Sequence, residues 1–111
     1  MHKATMPIGA LRHRLVPEAA LKTDDGAGGA LVVVNTMTAV WGRIRPLHPP
    51  RRGWADGDAR ITHEIVLRQS AIPGNGGDVI AFRDGARRFR VLGRAEDETG
   101  RWHIFLTELQ P

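Results

Sequence analysis

Cysteine and tyrosine are missing from the sequence, and aromatic residues of all kinds make up only 5% of it. The absence of Cys excludes a disulfide framework and thiolate metal sites, and suits a reducing compartment. Few aromatic rings leave little material for a base-stacking platform. Lysine is also scarce. Of the 16 Lys and Arg residues only Lys3 and Lys22 are lysine, so almost every cation is a guanidinium. Long hydrophobic runs are lacking as well. The longest, Ala30 to Val34, falls far short of the ~20 residues of a membrane span. No apolar run of signal-peptide length follows Lys3, so a soluble product made in the cytosol, with no membrane partner, is expected.

What is present is ordinary for a globular domain. Hydrophobic residues account for 41% and charged residues for 25% of the 111 positions. A chain of this size forms one domain and buries about two thirds of its unfolded surface. The expected organisation is a mobile tail over residues 1–8 and a single domain over residues 9–111. Thirteen glycines and seven prolines imply many turns. The net charge of +4 permits attraction to nucleic acid, but an Arg-rich subunit interface has the same composition. Charge alone does not choose between them, and most of these arginines are expected to be solvated or ion-paired.

Two segments organise the chain: Ala39 to Pro46, and Ile61 to Arg68. In the second, Ile61, His63, Ile65 and Leu67 alternate with Thr62, Glu64, Val66 and Arg68, the period of a half-buried strand. In the first, Val40, Gly42 and Ile44 alternate with Trp41, Arg43 and Arg45, and Pro46, having no amide donor, is expected to stop the ladder. An antiparallel pair joined by a projecting loop, Leu47 to Arg60, follows. A connection of that length is usually functional or disordered.

Ahead of this pair, Gly9 to Val16 reads as a strand. Pro17 to Lys22 reads as a short helix or, preferably, as an edge strand, where proline is tolerated. Asp24 to Gly29 is a turn in which glycines supply positive φ and aspartates cap amides. A phosphate-binding role for that turn is disfavoured, because the glycines enter a strand rather than a helix. Leu31 to Thr38 is a strand running into Ala39 to Arg45 with a bend or bulge near Asn35. Later come a turn at Pro73 to Asp78, a strand Val79 to Phe82, a tight hairpin at Asp84-Gly85, a strand Arg88 to Arg94, a turn at Glu96 to Gly100 and a strand Arg101 to Leu109. The last strand is apolar on both faces, Trp102, Ile104 and Leu106 on one and His103, Phe105 and Thr107 on the other, which suggests packing on both sides, one of them against another subunit. The expected fold is all-β: a small β-barrel or sandwich of six to seven short antiparallel strands.

The sequence carries no evident chemistry. His63 and Glu64 are adjacent on a strand, so their side chains point to opposite faces. His63 is expected to be partly buried with its ring nitrogens on backbone groups. His2, His13, His48 and His103 show no ligand spacing, and neither a nucleophile nor a nucleotide motif stands out. No cofactor and no enzymatic activity are expected.

Several stretches, taken in order, resemble the phage head-tail joining (head closure or stopper) family, whose relatives include gene transfer agents. They are Gly9 to Arg14, Asp25 to Gly29, Val40 to Pro46, Thr62 to Arg68, and Asp78 to Ile80 through Phe89 to Val91. The resemblance spans Gly9 to Glu108. It departs at Glu64, where a basic residue would be expected, at Gly42, where Ala is common, and at Phe89, where Tyr is common. The resemblance implies a virion neck protein, assembled in the bacterial cytoplasm as a homo-oligomeric ring between the portal or adaptor protein and the tail terminator or tail tube protein, with packaged double-stranded DNA in its channel. On that reading Arg51, Arg52 and Trp54 are the candidates for a channel-facing loop, and Trp41, Arg43, Arg45, Arg68 and Phe105 for the ring interface. The alternatives are a tail terminator or other connector ring, and an oligonucleotide-binding barrel for single strands. A small hydrolase is a more distant third.

Overall fold

The computed structural model describes residues 11–52, 60–72 and 78–111. The expected tail, residues 1–8, lies outside them, as do Gly9 and Ala10. The described residues form an all-β molecule of seven strands: β1 His13–Asp24, β2 Ala30–Thr36, β3 Val40–Arg52, β4 Arg60–Arg68, β5 Val79–Asp84, β6 Arg87–Glu96 and β7 Trp102–Leu109. A 3-10 turn, Gln69–Ala71, follows β4. Every pairing is antiparallel. The sheet order is β2-β1-β3-β4-β7-β6-β5, and a further β1–β5 pairing closes the sheet on itself.

β2 and β3 act as one long strand along a single edge of β1. Glu18 pairs with Thr36 and Leu15 with Val40, which leaves one extra residue on the β2–β3 side. The bend or bulge expected near Asn35 therefore falls at Met37–Ala39, where the Met37 amide donates to the Pro17 carbonyl at 2.8 Å.

Pro17 lies inside β1 rather than on an edge, facing Phe82 of β5. In an extended strand a residue's N–H and C=O point to the same neighbour. The missing donor of Pro17 thus faces the bend, where the ladder is already interrupted, and costs β5 nothing. Pro46 does not end its strand either. It pairs with His63, the register shifts, and pairing resumes at Arg51 with Ile61 and Arg52 with Arg60. Proline is tolerated at such an irregularity. The connection expected over Leu47 to Arg60 is correspondingly shorter, and its residues 53–59 lie outside the described residues.

The core occupies the inside of the closed sheet: Leu15, Ile65, Leu67, Ile72, Val79, Phe82, Phe89 and Phe105. All three phenylalanines are fully enclosed. Phe82 and Phe105 meet edge to face at 4.9 Å, and His63 meets Phe89 edge to face at 5.1 Å. Gly42 lies where two leucines converge. A Cβ there would come within 2.5 Å of Leu67 Cδ2 and 2.7 Å of Leu15 Cδ1, so glycine makes room for both leucines. At the β5–β6 hairpin, Gly85 has φ +60°, as a two-residue loop with glycine in first place requires.

Ala19 is the last residue paired to β5, and the Ala20 amide donates to the Asp78 carbonyl at 3.0 Å; from Leu21 on, β1 continues with β2 alone as a two-stranded ribbon. Its loop is built as its composition demands. Gly26 and Gly28 have φ of +81° and +84°, Asp24 Oδ1 accepts from the Gly26 amide, and Asp25 Oδ1 accepts from the Ala27 and Gly29 amides.

Candidate functional site

Alternation sends one set of side chains from β1, β3, β4 and β7 into the core and the other set outward. Register then aligns the outward set. Arg14 pairs with Trp41, and Arg68 with Trp102. Because Gly42 pairs with Leu67, Trp41 stands opposite Arg68. The result is a row, Arg14–Trp41–Arg68–Trp102, that crosses four strands with cation and aromatic alternating. Trp41 is 59% exposed, and Arg14 and Arg68 are also exposed. Among the described residues Arg14, Arg43 and Arg68 make no ion pair. The next outward line is Arg43, Val66 and Ile104, and the one after it Arg45, Glu64 and Leu106.

Four of the five residues expected at a ring interface, Trp41, Arg43, Arg45 and Arg68, therefore share one outer face. Phe105 does not. It faces inward and has no exposed surface, so it has nothing to offer a neighbouring subunit. The expectation that both sides of β7 are covered holds at Leu106, but the cover comes from the chain itself, which leaves Leu106 6% exposed.

Three glutamates organise the outer charges. Glu64 accepts from Arg45 at 3.1 Å and from Arg51 at 2.9 Å, so one carboxylate draws together two guanidiniums that are both more than half exposed. The Glu64 carboxylate thus partly neutralises a cationic cluster. Glu108 accepts from Arg90 at 2.8 Å and from the Arg60 amide at 3.2 Å. The Arg90 hydrogen bond first, and then that amide, hold its pKa below the usual glutamate value. Glu18, only 5% exposed, is gripped by Arg83 Nε at 2.5 Å and Arg88 Nε at 3.0 Å. Burial pushes its pKa up, but the hydrogen bonds and charges of the two arginines outweigh burial and leave it lowered.

Arg45, Arg51 and Glu64, with the bulged segment Pro46 to Pro50, border an open groove of about 650 Å³. Arg51 lies on β3 rather than in a free loop, and Arg52 ends that strand. Trp54, the third channel candidate, lies outside the described residues. His63 and Glu64 do face opposite ways. The ring of His63 bonds through Nδ1 to the Thr62 hydroxyl at 2.8 Å, not to a backbone group as expected. Among the described residues no group of three His, Asp or Glu side chains is placed to hold a metal.

A second surface was not singled out from the sequence. The β1–β2 ribbon exposes Leu21, Leu31, Val32, Val33 and Val34, each by 40% or more. The available signal was the unbroken apolar run Ala30 to Val34. An apolar strand is normally covered on both faces, but here no described element covers either.

Residues 6–109 match the phage head completion protein family. Among solved structures, a chain from the virion of a native gene transfer agent particle is similar at 27% identity with a TM-score of 0.57, over 87% of this chain and 92% of that one. No curated protein matches. The match over nearly all of its length means that this chain belongs to the phage head completion family of virion structural proteins.

Proposed function

We propose that the protein is a head-tail connector subunit of the stopper type. Copies form a ring between the portal or adaptor and the tail, retain packaged double-stranded DNA and give the tail a docking platform. The observation that carries this reading is the joint likeness, over almost the full chain, to head completion proteins and to a virion chain of a gene transfer agent. The fold supports it physically. A ring subunit needs two different lateral surfaces that complement each other by rotation, and this molecule presents an Arg/Trp face and an apolar ribbon. Arg51, Arg52 and Trp54 remain the proposed channel-facing residues, with Glu64 reducing the positive charge at Arg51.

Electron microscopy of particles from a strain lacking the gene tests the reading. The expected result is emptied heads without tails beside free, complete tails. Ordinary tailed particles would sink it. Full heads carrying tails of irregular length would favour a tail terminator instead.

A single-strand-binding module is the second reading, favoured by the alternation of cation and ring along Arg14, Trp41, Arg68 and Trp102. It predicts binding of single-stranded DNA by the purified chain that weakens steeply with salt. No binding at low salt rules it out.

A further inference from the structure

We infer that the apolar ribbon of one subunit lies across the Arg14–Trp41–Arg68–Trp102 row of the next copy, an inference that rests on the ring reading above. Sheet geometry gives the two surfaces similar lengths. Four residues of ribbon beyond the closed sheet, Leu21 to Asp24, at ~3.4 Å each reach about 14 Å, and four strands at ~4.8 Å spacing span about 14 Å. Register also identifies the face that makes contact. Leu21 pairs with Val33 and Thr23 with Leu31, so Leu21, Leu31 and Val33 share one face of the ribbon. Lys22 pairs with Val32 on the other face. Turning the Leu21 face toward the row keeps Lys22 away from Arg14 and Arg68 and sets aliphatic side chains on indole rings.

Charge complements shape. The ribbon ends in Asp24 and Asp25, while Arg14, Arg43 and Arg68 bring unpaired guanidiniums, among the described residues, to the opposite surface. Trp and Arg are the residues that most often dominate binding at interfaces. Because the two surfaces differ, the contact is heterologous and propagates from copy to copy, as a ring requires. The other use of the ribbon would be pairing of two β2 edges, each of which is bonded among the described residues only to β1. That arrangement is isologous and stops at a dimer.

Thiol cross-linking distinguishes these outcomes, because the chain has no cysteine of its own. Val33→Cys and Arg68→Cys, both at exposed positions, are combined in one chain. Purified particles are treated with a short bis-maleimide and the products mapped by mass spectrometry. The expected result is a ladder of dimers, trimers and higher multimers joined through the peptides of residues 33 and 68, lost in either single variant. Dimers from Val33→Cys alone would overturn the inference in favour of edge pairing. Necks that contain the doubly substituted chain but give no such link would overturn the ribbon contact while leaving the ring reading intact. Absence of the wild-type chain from the neck would overturn both.

Discussion

Replacing Glu18 with Gln tests the seam that closes the sheet. Glu18 belongs to β1, and its two partners belong to β5 and β6. The substitution keeps the side-chain volume and one acceptor but removes the charge that both guanidiniums face. Removing one partner of a fully buried ion pair costs ~3–5 kcal/mol, and an exposed pair contributes ~0–1 kcal/mol. The carboxylate here is buried, but the Arg83 and Arg88 side chains are 50% and 28% exposed and can recover water when released. The expected loss is therefore intermediate, about 2 kcal/mol at pH 7, or roughly 8 °C in Tm for a domain of this size. Urea unfolding followed by circular dichroism reads it.

Acid gives an independent check. The pKa of Glu18 is lowered in the folded state. Its contribution is fully present above the unfolded glutamate pKa of ~4.3 and is lost as pH falls through the lower folded value. The difference between wild type and Glu18→Gln should thus close below about pH 4. A variant within ~0.5 kcal/mol of wild type at pH 7, or a difference that persists unchanged in acid, would refute the argument.

Three further outcomes follow from the same physics. Gly42→Ala should cost about 1–2 kcal/mol by crowding Leu15 and Leu67, and the loss should shrink in a Leu67→Ala background; urea midpoints of the single and double variants measure both. The pKa of His63 is lowered by burial, then by the charges of Arg87 and His48, so protonation opposes folding. Stability should fall as pH drops from ~6.5 through the folded value, and His63→Gln should remove that part of the slope in a series of denaturation curves. Leu31→Lys, at a position 55% exposed, should leave Tm within about 2 °C of wild type but prevent incorporation into particles, as read by thermal unfolding and by immunoblotting of purified virions.

Local patterns carried much of the fold. The alternation of Ile61 to Arg68 gave a strand with the correct inward face, Asp84-Gly85 gave a hairpin, and Val and Thr after Gly29 gave a strand that runs on into Val40. Prolines misled because their effect depends on what lies opposite. Pro17 and Pro46 each sit beside a register irregularity that no single-sequence rule detects. Phe105 was misassigned for a related reason: β7 is apolar on both faces, and only pairing with Ile65 fixes which face is inside. The candidate site was legible only as single residues. Trp41, Arg43, Arg45 and Arg68 could each be offered as candidates, but their common face and the row that Trp41 and Arg68 make with Arg14 and Trp102 depend on pairings between distant strands. Glu18 gave no warning at all, since its partners lie 65 and 70 positions away.

Cryo-electron microscopy of the intact particle neck, at a resolution that shows side chains, tests the proposed connector role. The expected density is a closed ring of this chain between the portal or adaptor and the first tail ring, with Arg51 and Arg52 toward the DNA. Density for the chain in the capsid shell or along the tail, with none at the neck, would contradict it.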